Sequence, residues 1–438
     1  IAFLFDKCFY VYGLNLESFF ENRVNNLLNI AYLKQNNRWQ WLVVASCVCL
    51  FIGLACARAL ASIGMIALLV TPFIFNNPVE VVKKYLSRKE LWVLALYFLI
   101  VVASGLYSDD KKEWMNWVRI KLPYIALPLA FAGISRLDAK KFTIVLYGFI
   151  ITFFAVTVFI LVRYALNYEE VTLSYQRGAT IAIPYSHIRY TIMLAFSFFC
   201  ALYLVHKNYF IVTPAEKWIQ LFFAAFAFIA LHIISVRSGL LALYVGIVVL
   251  ALYLAFFHKK YMLGLGMIAA IIAMPYIAYK CVPSFTNKVN YMRYDMGEYE
   301  KGNYNNLSDA IRIISTKVGI DIWKQSPAIG VGAGDIRSET AKVYEQQFPQ
   351  LTEYNRKVPH NQLVWVLATT GVIGLVLFLI AFFVPLFTNG LYKFWPALVL
   401  HLILLSSFFT EDTFEEQIGT GFYLIFLLLF INYNSKHE

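Results

Sequence analysis

The chain has 438 residues, of which 60% are apolar, 17% are aromatic and only 14% are charged. Soluble domains carry more charge than this, so the composition excludes a set of soluble domains and predicts an all-α polytopic membrane protein. The net charge of +11 needs no nucleic-acid partner. An excess of Lys and Arg is expected in the cytoplasmic loops of a membrane protein.

The N-terminal segment, residues 1–38, is too mixed in polarity to span a bilayer, and we expect it to lie in the cytoplasm or along the membrane surface. About 12 apolar segments long enough to span follow it. They are residues 40–57, 59–76, 90–106, 118–134, 142–166, 183–205, 218–235, 239–257, 261–281, 361–386, 394–410 and 419–434. The predicted helices 1–9 therefore lie within residues 39–281, helices 10–12 lie within 360–434, and a cytoplasmic tail occupies 435–438.

The charges of the connecting loops predict the orientation. With the N-terminus in the cytoplasm, basic segments such as "KKYLSRK" (83–89) and "HKK" (258–260) lie on the cytoplasmic side. The acidic segments "SDDKKE" (108–113) and "TEDTFEEQ" (410–417) then lie outside. This distribution agrees with the positive-inside rule.

One connection, residues 282–359 between predicted helices 9 and 10, is long and hydrophilic, and the orientation places it outside. It contains the amphipathic stretch "SDAIRIISTKVGIDIWKQSP" (308–327), with apolar Ile311, Ile314, Val318 and Ile322 on one face. Ser308 is its expected N-cap and Pro327 its expected stop. Long loops in compact proteins are usually functional. We therefore expect the functional site at the outer surface.

His360 and Asn361 follow Pro359 at the start of predicted helix 10. Pro suits the first helical position, which predicts His360 in the first turn, where the helix dipole disfavours imidazolium. A neutral ring there accepts a proton, and Asn361 orients the ring or binds a sugar hydroxyl. The alternative is that both residues only cap the helix. Gly371 and Gly374 behind them are expected to let helices approach closely.

Arginines near the membrane are further candidates. Arg237, in "SVRSGLLAL" (235–243), lies between two apolar runs and is either functional or directed to the outer headgroups. Arg189 is similar, and His187 is a possible hydrogen-bonding neighbour. Arg312 lies on the amphipathic helix of the loop and is either part of the site or on a solvated face.

Two other motifs favour structural interpretations. "GVGAGD" (330–335) resembles a phosphate loop, but no GK[ST] follows, so a tight turn is expected. "TEDTFEEQ" either pairs with the arginines or forms a solvated acidic turn.

The six cysteines show no zinc-ligand spacing, so no metal site is predicted. Arginine forks, a neutral His and no metal cluster together fit a lipid diphosphate carrying a sugar.

The segment "HNQLVWVLATTGVIG" (360–374) resembles the signature of the O-antigen ligases: His, then Asn, Ser or Gln, nine residues, Gly, two residues, then Gly, Thr or Tyr. Arg237 with Leu241 resembles the Arg-x-x-x-Leu element of that family. "QSPAIGVGAGD" (325–335) is similar to a third element, with Ser326 where His is common. The resemblance covers roughly residues 40 to 434, including the large outer loop.

The resemblance implies a metal-independent, inverting glycosyltransferase of GT-C-type architecture without a cofactor, in the bacterial inner membrane with its active site facing the periplasm. The donor would be an undecaprenyl-diphosphate-linked glycan, and the acceptor a sugar of the lipid A–core oligosaccharide. The essential histidine of the family corresponds to His360, and its two essential arginines correspond to Arg237 and Arg312. Additional candidates for substrate binding are Arg189, Asn361 and His187.

Two other functions stay open from the sequence. O-antigen polymerases of the Wzy type, and related lipid-linked oligosaccharide transferases, belong to the same superfamily and share much of the pattern. A transporter of lipid-linked sugars would use Arg237 and Arg189 to line a path, but the cytoplasmic half of the predicted helices is almost wholly apolar. Membrane lipids are expected neighbours in every case.

Overall fold

The computed structural model describes residues 39–179, 181–184 and 186–434. All regular secondary structure in these ranges is helical, and the described residues contain no strand. The predicted N-terminal segment and the C-terminal tail lie outside the described residues. The all-α class is confirmed.

The α-helices of the described residues are numbered here in chain order. They are α1 (Trp39–Cys56), α2 (Arg58–Phe75), α3 (Pro78–Ser87), α4 (Lys89–Trp92), α5 (Ala95–Ser104), α6 (Lys111–Lys121), α7 (Pro123–Gly133), α8 (Ala139–Leu166), α9 (Tyr168–Gln176), α10 (His187–Lys207), α11 (Glu216–Ile234), α12 (Arg237–His258), α13 (Tyr261–Cys281), α14 (Pro283–Glu300), α15 (Ser308–Gln325), α16 (Ile336–Gln347), α17 (Gln362–Phe387), α18 (Trp395–Phe408) and α19 (Gln417–Asn434). Short 3₁₀ turns precede α18 and α19.

Nine helices of the described chain are long and apolar enough to cross a bilayer. They are α1, α2, α8, α10, α11, α12, α13, α17 and α19. They match nine of the predicted spans and indicate a multi-pass membrane protein.

The other three predicted spans form shorter or interrupted helices. Residues 90–106 correspond to α4 and α5, with helical backbone angles continuing through Val93 and Leu94. Residues 118–134 correspond to the end of α6 and to α7, joined through Leu122, which also has helical angles. Pro123 starts α7 at this junction and has no N–H to continue the hydrogen-bond ladder. Residues 394–410 correspond to α18, which has 14 residues.

The protein core lies around α10 and α19. In the most apolar stretch of each, 83% of the residues are buried, compared with 11% in α13. Phe426 of α19 packs against Phe51, Phe149 and Phe196, with ring centroids 4.6–5.4 Å apart. The N-terminal ends of α10 and α19 are therefore held by the best-packed part of the molecule.

The hydrophilic segment 282–359 folds into α14, α15 and α16. In α15, Ile314, Val318 and Ile322 are buried, which confirms three of the four residues predicted for its apolar face, and Ile311 is partly buried. The expected N-cap is wrong, because Ser308 is the first helical residue and Leu307 is at the cap position. The Asp295 carboxylate of α14 accepts hydrogen bonds from the free Asp309 and Ala310 amides instead, at 2.9 and 3.1 Å.

The turn 327–332 docks into a break in α17 at Gly371. Gly371 has φ +65°, and the Val372 and Ile373 amides donate to the carbonyls of Pro327 and Ala328 at 2.9 and 3.2 Å. In return, the Val331 amide donates to the Ala368 carbonyl at 2.9 Å. The close approach predicted for Gly371 is present, but its neighbour is this turn rather than another helix.

The predicted tight turn at 330–335 is also confirmed. Its amides donate within the protein, that of Ala333 to Ser104 Oγ at 3.3 Å and that of Gly334 to Ser108 Oγ at 3.1 Å. They are therefore occupied and do not form a phosphate loop.

Candidate active site

A cavity of about 960 Å³ opens where α10, α12 and α15 begin and where the chain enters α17 and α19. It is lined by five of the six predicted site residues, which are His187, Arg189, Arg237, Arg312 and His360. Because helix N-termini carry partial positive charge, this position favours an anion.

A second cavity of about 830 Å³ meets the first. Asn361, the sixth predicted residue, lines this second cavity. The residues common to both cavities are Arg237, Asp309, Arg312, His360 and Thr410. Two molecules can therefore approach the same set of side chains from two sides.

His360 lies just before α17 rather than in its first turn, so that prediction is wrong. Asn361 occupies the cap position, and its side-chain oxygen accepts from the Leu363 and Val364 amides at 3.0 and 3.1 Å. Asn is a better N-cap than His, and this preference outweighs the preference for Pro359 at the first helical position. The Asn361 amide nitrogen also donates to the Phe409 carbonyl at 3.3 Å, so both ends of the side chain have protein partners. Its predicted role in substrate binding stays a prediction.

The ring of His360 is held near two carboxylates without being hydrogen-bonded to either. Nδ1 lies 3.9 Å from Glu411 Oε2 and 3.8 Å from Asp412 Oδ1. This atom is buried and has no hydrogen-bond partner in the described part of the chain. The backbone amide of His360 donates to Ser315 Oγ at 3.2 Å, which fixes the residue against α15. The ring is therefore positioned by the backbone and keeps a free nitrogen.

Arg237 and Arg312 share one carboxylate, Asp309. Arg237 donates through Nη1 to Asp309 Oδ2 and through Nη2 to Ser308 Oγ at 3.4 Å. Arg312 Nη1 lies 3.7 Å from the other oxygen of Asp309. Since Arg237 starts α12 and Asp309 starts α15, this pair joins the two helices. Arg312 faces the cavity rather than a solvated surface.

Arg189 is buried in the first turn of α10. It pairs with Asp412 at 3.3 Å and with Glu416 at 3.2 Å, and it also donates to the Asp412 carbonyl at 3.0 Å. Arg189 also donates a hydrogen bond to Ser186 Oγ, at the cap position of the helix. The ring of His187 is not among its hydrogen-bond partners in the described residues. The proposed hydrogen bond between Arg189 and His187 is therefore wrong, although both residues line the cavity.

The acidic segment 410–417 is folded against the protein rather than solvated. Glu411 pairs with Arg312 at 2.9 Å, which together with the Arg189 pairs confirms that this segment contacts the arginines. The buried Glu415 carboxylate lies 2.8 Å from Lys121 Nζ and accepts from Tyr97 and Gln362 at 2.6 Å. Sequence reasoning missed this group because Lys121 lies in an otherwise apolar predicted span. The group fixes the turn that carries Glu411 and Asp412.

The Asp412 carboxylate is kept ionised by its neighbours. Burial by itself would raise the pKa of Asp412, but the His360 ring and the Arg189 guanidinium outweigh it and hold that pKa below its ordinary value. A negative charge therefore stays next to His360 across the neutral pH range.

Ligand atoms of His360, Glu411 and Asp412 lie within 4.8 Å of one another, close enough for a metal ion. Both carboxylates are already paired with arginines, however, and the guanidinium groups of Arg312 and Arg189 would repel a cation. The charge around the three residues is therefore better suited to an anion.

Lys288 of α14 also lines the cavity and was missed by the sequence analysis. It is only 8% exposed, and its Nζ donates to the Gly178 carbonyl at 3.0 Å. Burial and the nearby Arg237 lower its pKa to about 8. No spacing or motif marks this lysine, because α14 has no apolar periodicity that would predict which side faces inward.

No curated protein matches the chain. A family model does match, and the matched segment contains Arg237, Arg312 and His360. It confirms the resemblance drawn from the same residues. Residues 222–379 match the family model described as O-antigen ligase, so this part of the chain is similar to the O-antigen ligase family.

Proposed function

We propose that this protein is an O-antigen ligase. It transfers a glycan from undecaprenyl diphosphate to a sugar of lipid A–core, at the periplasmic face of the bacterial inner membrane and without a metal. The family match implies a glycosyltransferase-like enzyme that handles lipid-linked glycans, and the GT-C-type architecture is part of the proposal. The main observation that supports the proposed ligase activity is that two cavities meet at Arg237, Arg312 and His360.

The arginines would bind the donor diphosphate. A planar guanidinium group can donate two parallel hydrogen bonds to phosphate oxygens. Negative charge also builds up on the diphosphate as its bond to the sugar breaks, and the arginines would stabilise it. Arg237 and Arg312 already lie on either side of Asp309, so they can bind one group together. The diphosphate oxygens would replace part of the carboxylate contacts that hold the arginines in the structure.

His360 would act on the acceptor. In the proposed step, an acceptor hydroxyl attacks the anomeric carbon on the face opposite the diphosphate, so the configuration inverts. The hydroxyl proton passes to the ring of His360, and undecaprenyl diphosphate leaves with the electron pair of the broken C–O bond. Asp412, 3.8 Å from Nδ1, stabilises the protonated ring. In an alternative division of roles, His360 only orients the hydroxyl, because diphosphate is a good leaving group.

The nearest alternative with the same site is a Wzy-type polymerase, whose acceptor is another lipid-linked repeat unit. Purified protein in nanodiscs, incubated with undecaprenyl-diphosphate-linked glycan with and without lipid A–core, separates the two. Glycan on lipid A–core, absent from the His360→Ala variant, supports a ligase. Longer chains on the lipid diphosphate would make it a polymerase. A folded protein that forms neither product would contradict both and favour a transporter of lipid-linked sugars.

A further inference from the structure

Three of the four arginines that line the first cavity, Arg189, Arg237 and Arg312, are neutralised by carboxylates. Arg189 pairs with Asp412 and Glu416, and the carboxylates of Asp309 and Glu411 pair with Arg237 and Arg312. An incoming anion must compete with these ion pairs for the guanidinium groups.

Lys288 lies in the same cavity and differs from these three arginines. Its Nζ donates to one backbone carbonyl, that of Gly178, and lies 5.6 Å from the centre of the Tyr291 ring. Lys288 is buried, with only 8% of its surface exposed, and yet it forms no ion pair with a carboxylate of the described residues. An ammonium group has three donors, so two remain for a ligand.

The position of Lys288 is defined by its neighbours. Gly178 has φ +83°, and a Cβ on it would lie 2.3 Å from the Tyr291 ring, so the turn after α9 packs directly on α14. The same turn presents the Gly178 carbonyl to Lys288. The ammonium is therefore anchored at one point with its other donors available to the cavity.

The charges around Lys288 favour an added anion. The guanidinium groups of Arg237 and Arg312 repel it, while the carboxylates of Asp309 and Asp295 attract it. Burial together with this repulsion lowers its pKa to about 8. A buried cation of this kind is costly unless it is paired. An anion between Lys288 and the arginines would remove that repulsion and satisfy the free donors.

We propose that Lys288 binds the diphosphate of the lipid-linked donor beside Arg237 and Arg312, as a cation that is available before any ion pair of the site is broken. This inference rests on the proposed function for the identity of the ligand. Lysine binds phosphate as a point charge, whereas the arginines bind it through paired donors, so the three groups have complementary roles.

The first test measures anion binding without catalysis. Inorganic pyrophosphate is titrated into wild-type protein and into Lys288→Gln, Lys288→Arg and Lys301→Gln variants in nanodiscs. Lys301 directly follows the same helix, is exposed and serves as the matched control. We expect Lys288→Gln to raise the Kd about tenfold and Lys288→Arg to restore most of the affinity, with no change in the control. Equal Kd values for wild type and Lys288→Gln would overturn the proposal.

The second test uses transfer kinetics and pH. We expect Lys288→Gln to raise the KM for the lipid-linked donor while the KM for the acceptor is unchanged. The wild-type kcat/KM for donor should fall as the pH rises through about 8, because the ammonium loses its proton there. In Lys288→Arg this fall should move to higher pH, since guanidinium stays protonated. A fall at the same pH in Lys288→Arg would assign it to another group and contradict the proposal.

The two proposals fail in different ways. If wild-type protein transfers glycan and Lys288→Gln has an unchanged donor KM, only the role of Lys288 is wrong. If wild-type protein neither transfers glycan nor binds pyrophosphate, both proposals are wrong. Pyrophosphate binding that depends on Lys288 in a protein that transfers nothing would support the anion contact and contradict the ligase. A monodisperse gel-filtration peak for each variant is required before its affinity is compared.

Discussion

Arg312 donates a hydrogen bond of 2.9 Å to Glu411, a carboxylate that is almost fully buried. Arg312→Ala removes this cation and leaves a buried negative charge, so we expect the free energy of unfolding to fall by about 1–3 kcal/mol, together with loss of transfer. The double variant Arg312→Ala/Glu411→Gln removes both charges. It should recover most of the stability and none of the activity.

Thermal unfolding in detergent and the transfer assay on the same preparations measure the two effects separately. Activity that returns with stability in the double variant would mean that Arg312 only neutralises Glu411. The proposed contact between Arg312 and the diphosphate would then be wrong.

Arg237 contacts Asp309 and Ser308 through two different nitrogens of its guanidinium group. Lysine keeps the charge but has a single nitrogen, so Arg237→Lys cannot hold Asp309 and bind a second oxygen in the same plane. We expect kcat/KM for donor to fall about tenfold to a hundredfold. Arg163→Lys, at an exposed position near the end of α8, is the control and should leave kcat/KM unchanged. Full activity of Arg237→Lys would rule out that Arg237 needs two guanidinium nitrogens to bind the diphosphate.

His360, Glu411 and Asp412 are close enough to hold a metal, but the carboxylates are already paired with Arg312 and Arg189. We therefore expect transfer to be unchanged after dialysis against EDTA and to show no increase when Mg²⁺ or Mn²⁺ is added. Measurement of initial rates before and after dialysis checks this. Inhibition by EDTA that is reversed by one metal would instead assign a metal site to these three residues.

The sequence was most informative where one local pattern decides the structure. Apolar length predicted the nine long helices, and the periodicity of residues 308–327 predicted the buried side of α15. At residues 359–361 two local rules compete, and the preference for Asn361 as a cap prevailed over the one for Pro359 at the first position. That shift places His360 outside the helix.

Contacts between distant segments could not be predicted from the sequence. Arg237, Lys288 and Asp309 come from three helices, and only the packing of α12, α14 and α15 brings them together. The acidic segment 410–417 was expected to be either paired or solvated, and its burial depends on Lys121 in a distant helix. Such pairings follow from tertiary packing, which no spacing within one segment encodes.

Gly371 breaks α17 with φ +65°, and a Cβ there would lie 2.2 Å from the Ala328 carbonyl oxygen. Both the backbone angle and the contact with main-chain atoms oppose a side chain, so we expect Gly371→Ala to lower the free energy of unfolding by about 2 kcal/mol or more. Gly266 of α13 is the matched control, because a Cβ there meets nothing within 4 Å. Gly266→Ala should be neutral or slightly stabilising, since Ala favours the helix. Similar melting temperatures for the two variants would contradict the docking of the 327–332 turn at Gly371.

We expect the charged side chain of Lys288 to lower the stability of the protein while it contributes to anion binding. Its pKa falls from 10.5 to about 8 on folding, which corresponds to a penalty of about 3 kcal/mol while the lysine is charged. Lys288→Met removes the charge but keeps the length of the side chain, so the variant should melt at a higher temperature than wild type at pH 7.

The wild-type penalty shrinks as the pH rises from about 8 towards 10.5, because the folded protein releases a proton that the unfolded chain still binds. The difference in melting temperature between the two proteins should therefore be largest below pH 8 and decline above it, whereas Lys301→Met should match wild type throughout. A Lys288→Met variant that melts below wild type at pH 7 would mean that the ammonium is already well paired, and that it has no unsatisfied charge to offer an anion.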